Sequence, residues 1–219
     1  MEGTGTLFGP FVEALGSTLD TLVIPYPVDQ TLGYAELEAF VRARLPEGRR
    51  FAILGESFSG PVAIRIAADP PPGLVGLLLC VTFAQSPSPA LRWVSALGPW
   101  LPMKSAPQWM LGHALWGEYS APGIPERVMA ALESVDSDVL RHRLGAMGTV
   151  DEAEALARVL VPILVLQATD DRLVPPHCAE TMLRLQPRAR RQVVVGPHLL
   201  LQVKPAECAL RVRGFLGAL

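Results

Sequence analysis

The sequence predicts an α/β fold: a mostly parallel sheet flanked by helices and interrupted by a helical insertion. Two observations carry this. Short apolar runs rich in β-formers alternate with helical patterns, and the runs are near-continuously hydrophobic, as strands are when both faces of a parallel sheet are covered. Between the third and fourth runs, the alternation stops for about 75 residues and then resumes.

The runs, in order, are "TLVIPYP" (Thr21 to Pro27), "RFAILGE" (Arg50 to Glu56), "GLVGLLLCVTFA" (Gly73 to Ala84), "VPILVLQATD" (Val161 to Asp170) and "RRQVVVG" (Arg190 to Gly196). Each is read as a strand. "GYAELEAFVRARLP", "PVAIRIAA" and "CAETMLRLQP" supply helices between them. Residues 85–160 hold no good strand, carry many prolines and include all four tryptophans, so they read as a mostly helical cap inserted into a core of residues 1–84 and 161–219. The opening "AQSPSPA" reads as a loop leaving the sheet, since serine and proline cannot extend the ladder.

The chain has 219 residues, half of them hydrophobic, and a formal net charge of −2 with no run of like charges. That size supports one substantial core, and that charge leaves no electrostatic footprint for nucleic acid or an anionic membrane. A small molecule is the expected partner. Cys80, Cys178 and Cys208 are odd in number and lack metal-ligand spacing, so they read as small apolar fillers in a reducing compartment. No metal or organic cofactor is implied. The N-terminus lacks a secretory pattern, and the longest apolar run is too short to span a bilayer, which makes a cytoplasmic protein the expectation.

Ligands of parallel α/β sheets bind beyond the carboxyl ends of the strands. Three of those ends carry chemistry. "GESFSG" puts Ser57 between a strand and a helix opening on Pro61, the context of a nucleophile elbow, where small neighbours are needed two residues before and after. Here those neighbours are Gly55 and Ser59 rather than two glycines. "QATDDRLVPP" offers Asp170 and Asp171, either of which could orient an imidazole and stabilise its protonated form. "VVVGPHLLLQV" places His198 directly after the last strand, whereas His113 and His142 lie in the insertion and His177 at a helix start.

With these three strand ends in place, the chain resembles the α/β-hydrolase family, whose triad runs nucleophile, acid, histidine. The resemblance covers nearly the whole chain and implies Ser57 as nucleophile and His198 as base. It also implies Asp171 as the acid, because the family's aspartate stands directly before an Arg-hydrophobic-Val-Pro phrase, here "RLVP". A serine hydrolase cleaving a carboxylic ester or related acyl bond follows as the expected activity. Acyl transfer and C–C cleavage share the scaffold, while dehalogenation uses an aspartate where Ser57 stands.

"MEGTGTLFGPFVEAL" resembles the second half of the family's oxyanion segment. This implies oxyanion N–H groups at Met1 and Phe58, with the Pro-Gly and strand that precede them missing. In the family that strand lies between those matching "TLVIPYP" and "RFAILGE", so its loss would open a gap inside the sheet. Either further strands lie upstream of Met1, or "TLVIPYP" pairs directly with "RFAILGE"; the first is favoured because a gap strands buried backbone groups. A truncated oxyanion site makes a non-catalytic or impaired binding protein the alternative. Trp93, Trp100, Trp109 and Trp116 are candidates for an apolar wall over the substrate, or for docking the insertion on the core.

Overall fold

The computed structural model describes residues 2–91, 93, 107–119 and 121–219. Its sheet has four strands, β1 (Phe51–Glu56), β2 (Leu74–Cys80), β3 (Ile163–Ala168) and β4 (Arg190–Val194), ordered β1-β2-β3-β4 with every pairing parallel. Ile53 lies opposite Leu77, Leu77 opposite Ile163 and Leu164 opposite Arg190.

The continuous apolar runs follow from burial on both faces. Leu78, Cys80, Leu164, Leu166 and Val194 point to one side, against α1 (Gly9–Leu15) and α10 (Pro205–Leu216). Leu77, Leu79, Ile163 and Val165 point to the other, against α3 (Gly60–Ala68), α7 (Ala153–Ala157) and α8 (Pro176–Leu185). A third cluster joins α2 (Tyr34–Arg42) to α3 through Leu37, Val41, Val62 and Ile66. The three cysteines are buried and free, and burial pushes Cys178 up to about 11 and Cys208 up to about 12. They act as apolar filling rather than as thiolates.

Between β2 and β3 run α4 (Gln108–Leu115), α5 (Ile124–Glu133) and α6 (Ser137–Thr149), followed by α7. The excursion closes on itself where Gln85 bridges Asp151, Ser86 N–H donates to Val150 C=O, and Glu152 N–H donates to Ala84 C=O. Beyond that closure, Ala155, Leu156 and Val159 join the sheet's own core. The described residues also include α9 (Leu200–Val203) between β4 and α10, and 3-10 turns at Thr6–Phe8, at Ser57–Ser59 between β1 and α3, and at Pro89–Leu91.

The expected first strand does not form. Residues 21–27 take no regular secondary structure and pair with no strand among the described residues, and Tyr26 N–H donates instead to Gly3 C=O at 2.7 Å. Pro25 and Pro27 have no N–H to offer a ladder, and β1 is not within pairing reach. A cavity of about 720 Å³ lies between this segment and β1. The direct pairing weighed from the sequence is therefore absent, and the gap is present. Phe51 to Leu54 are only partly buried, whereas Leu77, Leu79, Leu164 and Leu166 are fully so.

Candidate active site

β1 delivers Ser57 at φ +51, one of only two non-glycine residues at positive φ among those described. For a residue with a Cβ this is a strained conformation, held only where the surroundings impose it. Those surroundings are tight. A Cβ on Gly55 would lie 2.7 Å from Ser59 O and 2.8 Å from Gly60 Cα, and one on Gly60 would lie 2.0 Å from Thr82 Oγ1. Thr82 also donates its hydroxyl to Ser57 C=O. Ser59 stands at the second of the two flanking positions, and the next residue, Gly60, is the one packed against Thr82.

The remaining two groups arrive from β3 and β4. Ser57 Oγ lies 2.9 Å from His198 Nε2, and His198 Nδ1 lies 3.0 and 2.9 Å from Asp171 Oδ1 and Oδ2. The side chains of His198 and Asp171 are 6% and 5% exposed. Asp171 Oδ1 also accepts N–H bonds from Leu173 and Val174, both at 2.8 Å. Asp170 faces elsewhere: its Oδ2 accepts the hydroxyls of Tyr119 at 2.6 Å and Thr169 at 2.7 Å. A hydroxyl, an imidazole and a buried carboxylate in this order can draw the proton from the hydroxyl as it attacks a carbonyl.

Residues 5–211 match the profile of the alpha/beta hydrolase family. The chain belongs to that family. RutD of Cronobacter sakazakii, a proposed carbamate hydrolase, is 26% identical over 193 residues, covering 84% of this hydrolase chain and 70% of the relative. The esterase RhEst1 from Rhodococcus sp. ECU1013 superposes over 100% of this chain and 88% of its own, with a TM-score of 0.77 and 20% identity. A hydrolase from Pseudomonas aeruginosa PA01 covers 90% of this chain and 75% of its own, with a TM-score of 0.71 and 25% identity.

The other site expectations divide. Phe58 is fully buried, stacked on Tyr34 with ring centroids 4.9 Å apart, and its N–H belongs to the first turn leading into α3, where helix donors lack intrahelical partners. Met1 and Trp100 lie outside the described residues. Trp93 and Trp109 are 60% and 75% exposed. Trp116 is partly buried against the cluster of Leu7, Ile124, Val128 and Leu199, and it borders with Trp109 a cavity of about 400 Å³. Neither this cavity nor the larger one is lined by Ser57 or His198.

Two residues of the site were not anticipated. Glu56 accepts a hydrogen bond from Gln202 Nε2 at 3.1 Å, while its Oε1 is buried without a partner among the described residues. Burial raises this carboxyl to about 7, against the opposing effect of the Gln202 bond. Its signal in the sequence was an acid inside an apolar strand, directly before the serine. Arg143 of α6 is fully buried, donating to Glu2 C=O and Pro27 C=O at 2.7 Å each. It fixes the loop that carries Glu2 and Gly3, and no local pattern marks it. Among the described residues no cluster of His, Cys, Asp and Glu could hold a metal ion, and no helix is long and apolar enough to cross a membrane.

Proposed function

We propose that this chain is a serine hydrolase cleaving a carboxylic ester or related acyl bond of a small hydrophobic substrate. The observation that carries the reading is the hydrogen-bonded line from Ser57 Oγ through His198 to Asp171. Ser57 attacks the carbonyl while His198 Nε2 takes its proton. Asp171 holds the Nδ1–H tautomer and offsets the charge of the imidazolium. His198 then protonates the leaving group, and water releases the acyl-enzyme by the same route. Phe58 N–H is assigned to the tetrahedral oxyanion, with Met1 as the second donor; one such donor contributes roughly a hundred- to a thousandfold in turnover. Trp93, Trp100, Trp109 and Trp116 stay the candidates for an apolar wall over the substrate.

The core of residues 1–84 and 161–219, with residues 85–160 inserted as a cap, is retained as the domain description, with the compartment taken as the cytoplasm. RutD is a proposed carbamate hydrolase, so a carbamate belongs in the substrate panel beside the esters. The test is hydrolysis of p-nitrophenyl acetate, butyrate and octanoate and of a p-nitrophenyl carbamate, by wild type and Ser57→Ala. Fluorophosphonate labelling of the same pair runs alongside. Turnover and labelling that both vanish in Ser57→Ala support the assignment. Equal turnover in the two proteins would remove Ser57 from the mechanism, and absence of labelling in the wild type would favour a binding protein that keeps the fold.

A further inference from the structure

The insertion between β2 and β3 is bonded to the core at positions that flank the acid and the base. Tyr119 donates its hydroxyl to Asp170 Oδ2 at 2.6 Å. Arg172 Nη1 donates to His113 C=O at 2.9 Å and lies 2.8 Å from His113 Nδ1. Asp170 and Arg172 are the neighbours of Asp171 on either side. Leu199 N–H, next to His198, donates to Leu115 C=O at 2.9 Å. Residues 113–119 thus reach both sides of Asp171 and the loop of the base at once.

The local structure makes that reach possible. α4 ends in a tight turn, in which Trp116 and Gly117 N–H both donate to Gly112 C=O and Tyr119 N–H donates to Trp116 C=O. Gly117 stands at φ +56, and a Cβ there would lie 3.3 Å from Arg172 Nη1, so the guanidinium packs directly on this turn. Leu115 and Trp116 pack against the cluster that contains Leu199. Lys204 Nζ lies over the Tyr119 ring, 5.5 Å from its centre, and holds the ring from the α10 side.

The acid turn needs such ties. Thr169 and Asp170 N–H donate to Val194 and Gly196 C=O, which fixes where the turn starts, but residues 171–175 take no helix or strand. Asp171 Oδ1 accepts the N–H groups of Leu173 and Val174 from its own turn. Those two bonds shape the turn without anchoring its outer side, and the bonds to Tyr119 and His113 supply that anchor.

We propose that residues 113–119 form a latch that positions the acid and the base, with Tyr119 and Arg172 as its positioning residues. The docking of the insertion then sets how well Asp171 faces His198 Nδ1, and a misplacement of about 1 Å can cost about a hundredfold in rate. The inference rests on the assignment of Ser57, His198 and Asp171 to hydrolysis. Tyr119 and Arg172 act through their neighbours, not on the reacting atoms.

The test compares Tyr119→Phe, Asp170→Ala, their double variant, and Tyr119→Phe combined with Arg172→Met, all in the full chain. Steady-state hydrolysis of p-nitrophenyl butyrate gives kcat and KM, and the downfield proton NMR resonance of His198 Nδ1–H reports on the pair with Asp171 directly. The Tyr119–Asp170 bond is exposed to solvent, so the fold tolerates its loss. The expected result is kcat about fivefold lower in Tyr119→Phe with KM unchanged, the effect of one exposed hydrogen bond to a charged group. Opening the second tie with Arg172→Met should bring the loss to about twentyfold. The double variant of Tyr119 and Asp170 should fall no further than Asp170→Ala alone, since both changes remove the same bond. Asp170→Asn keeps an acceptor for the hydroxyl and should stay near wild type. The Nδ1–H resonance should shift or broaden in step with kcat.

Losses that multiply in the double variant, a rise in KM with kcat unchanged, or a Nδ1–H resonance identical in all the variants each overturns the latch. Where the wild type turns over no ester, the hydrolase reading falls and the resonance alone decides the latch.

Discussion

His198 Nδ1 meets both carboxylate oxygens of Asp171, at 2.9 and 3.0 Å, while Asp170, one position earlier, turns to Tyr119 and Thr169. Replacing each aspartate by asparagine separates their roles. In Asp171→Asn, the new side-chain amide can keep its oxygen on the Leu173 and Val174 N–H groups only by aiming its NH2 at Nδ1, which drives the imidazole into the wrong tautomer. Asp171→Asn is therefore expected to lower kcat by about four orders of magnitude, with Asp170→Asn within about twofold of wild type. Steady-state hydrolysis of p-nitrophenyl butyrate by the two variants measures this, and equal losses would mean that either carboxylate can serve.

The elbow leaves no room at Gly60. A Cβ there lies 2.0 Å from Thr82 Oγ1, and Thr82 is held by its bond to the Ser57 carbonyl. Gly60→Ala is expected to destabilise the fold by about 1–3 kcal/mol, the usual cost of overpacking. Urea titration should show the midpoint falling with the m-value unchanged. Gly60→Ala combined with Thr82→Ser, which removes the Cγ2 methyl 2.7 Å from that Cβ, should recover part of the loss.

Glu56 makes stability fall with pH. Burial raises it to about 7, above its ordinary 4.5, so the native state holds the proton more tightly than the unfolded chain. The stability tied to the neutral carboxyl is fully present below about pH 4.5 and is lost as pH rises through about 7, by about 3 kcal/mol in all. Thermal melts of wild type and Glu56→Gln across pH 4.5 to 8 test this. The wild type should lose ground to the variant steadily over that range, and parallel curves would show that Glu56 ionises freely.

Arg143 serves two carbonyls that lie far apart in the chain, Glu2 and Pro27. A lysine ammonium is compact and cannot reproduce the fork. Arg143→Lys is expected to cost about 2 kcal/mol, and Arg143→Ala more, because both carbonyls then lose a charged donor. Hydrogen exchange should accelerate at the Tyr26 amide, which donates to Gly3 C=O. Exchange unchanged there would mean that the loop is held by other contacts.

Most of the sheet was legible because its strands are buried on both faces, and that condition leaves a continuous apolar run. Four such runs became β1 to β4, with their ends trimmed by at most four residues. The fifth, Thr21 to Pro27, has the same composition and is no strand, since strand formation requires a partner edge and composition reports only suitability for one. The line from Ser57 to His198 to Asp171 was readable because Ser57 directly follows β1, while Asp171 and His198 lie in the turns just beyond β3 and β4. The orientation of Asp170 was not, as it depends on Tyr119 from another element. Arg143 was invisible for a related reason: its burial is created by the loop at Glu2, 141 residues away.

The long excursion between β2 and β3 bears on how the molecule forms. Residues 81–162 separate two strands that pair directly, so β1, β2 and α3 can assemble from local contacts, while β3 must close a large loop before it gains anything. Ser57 sits on the early side of that closure, and Asp171 and His198 sit on the late side. During refolding, native-like secondary structure should therefore appear before the imidazole reaches the hydroxyl. Labelling of Ser57 would serve as a clock for the last step of assembly, running behind any optical signal from the helices.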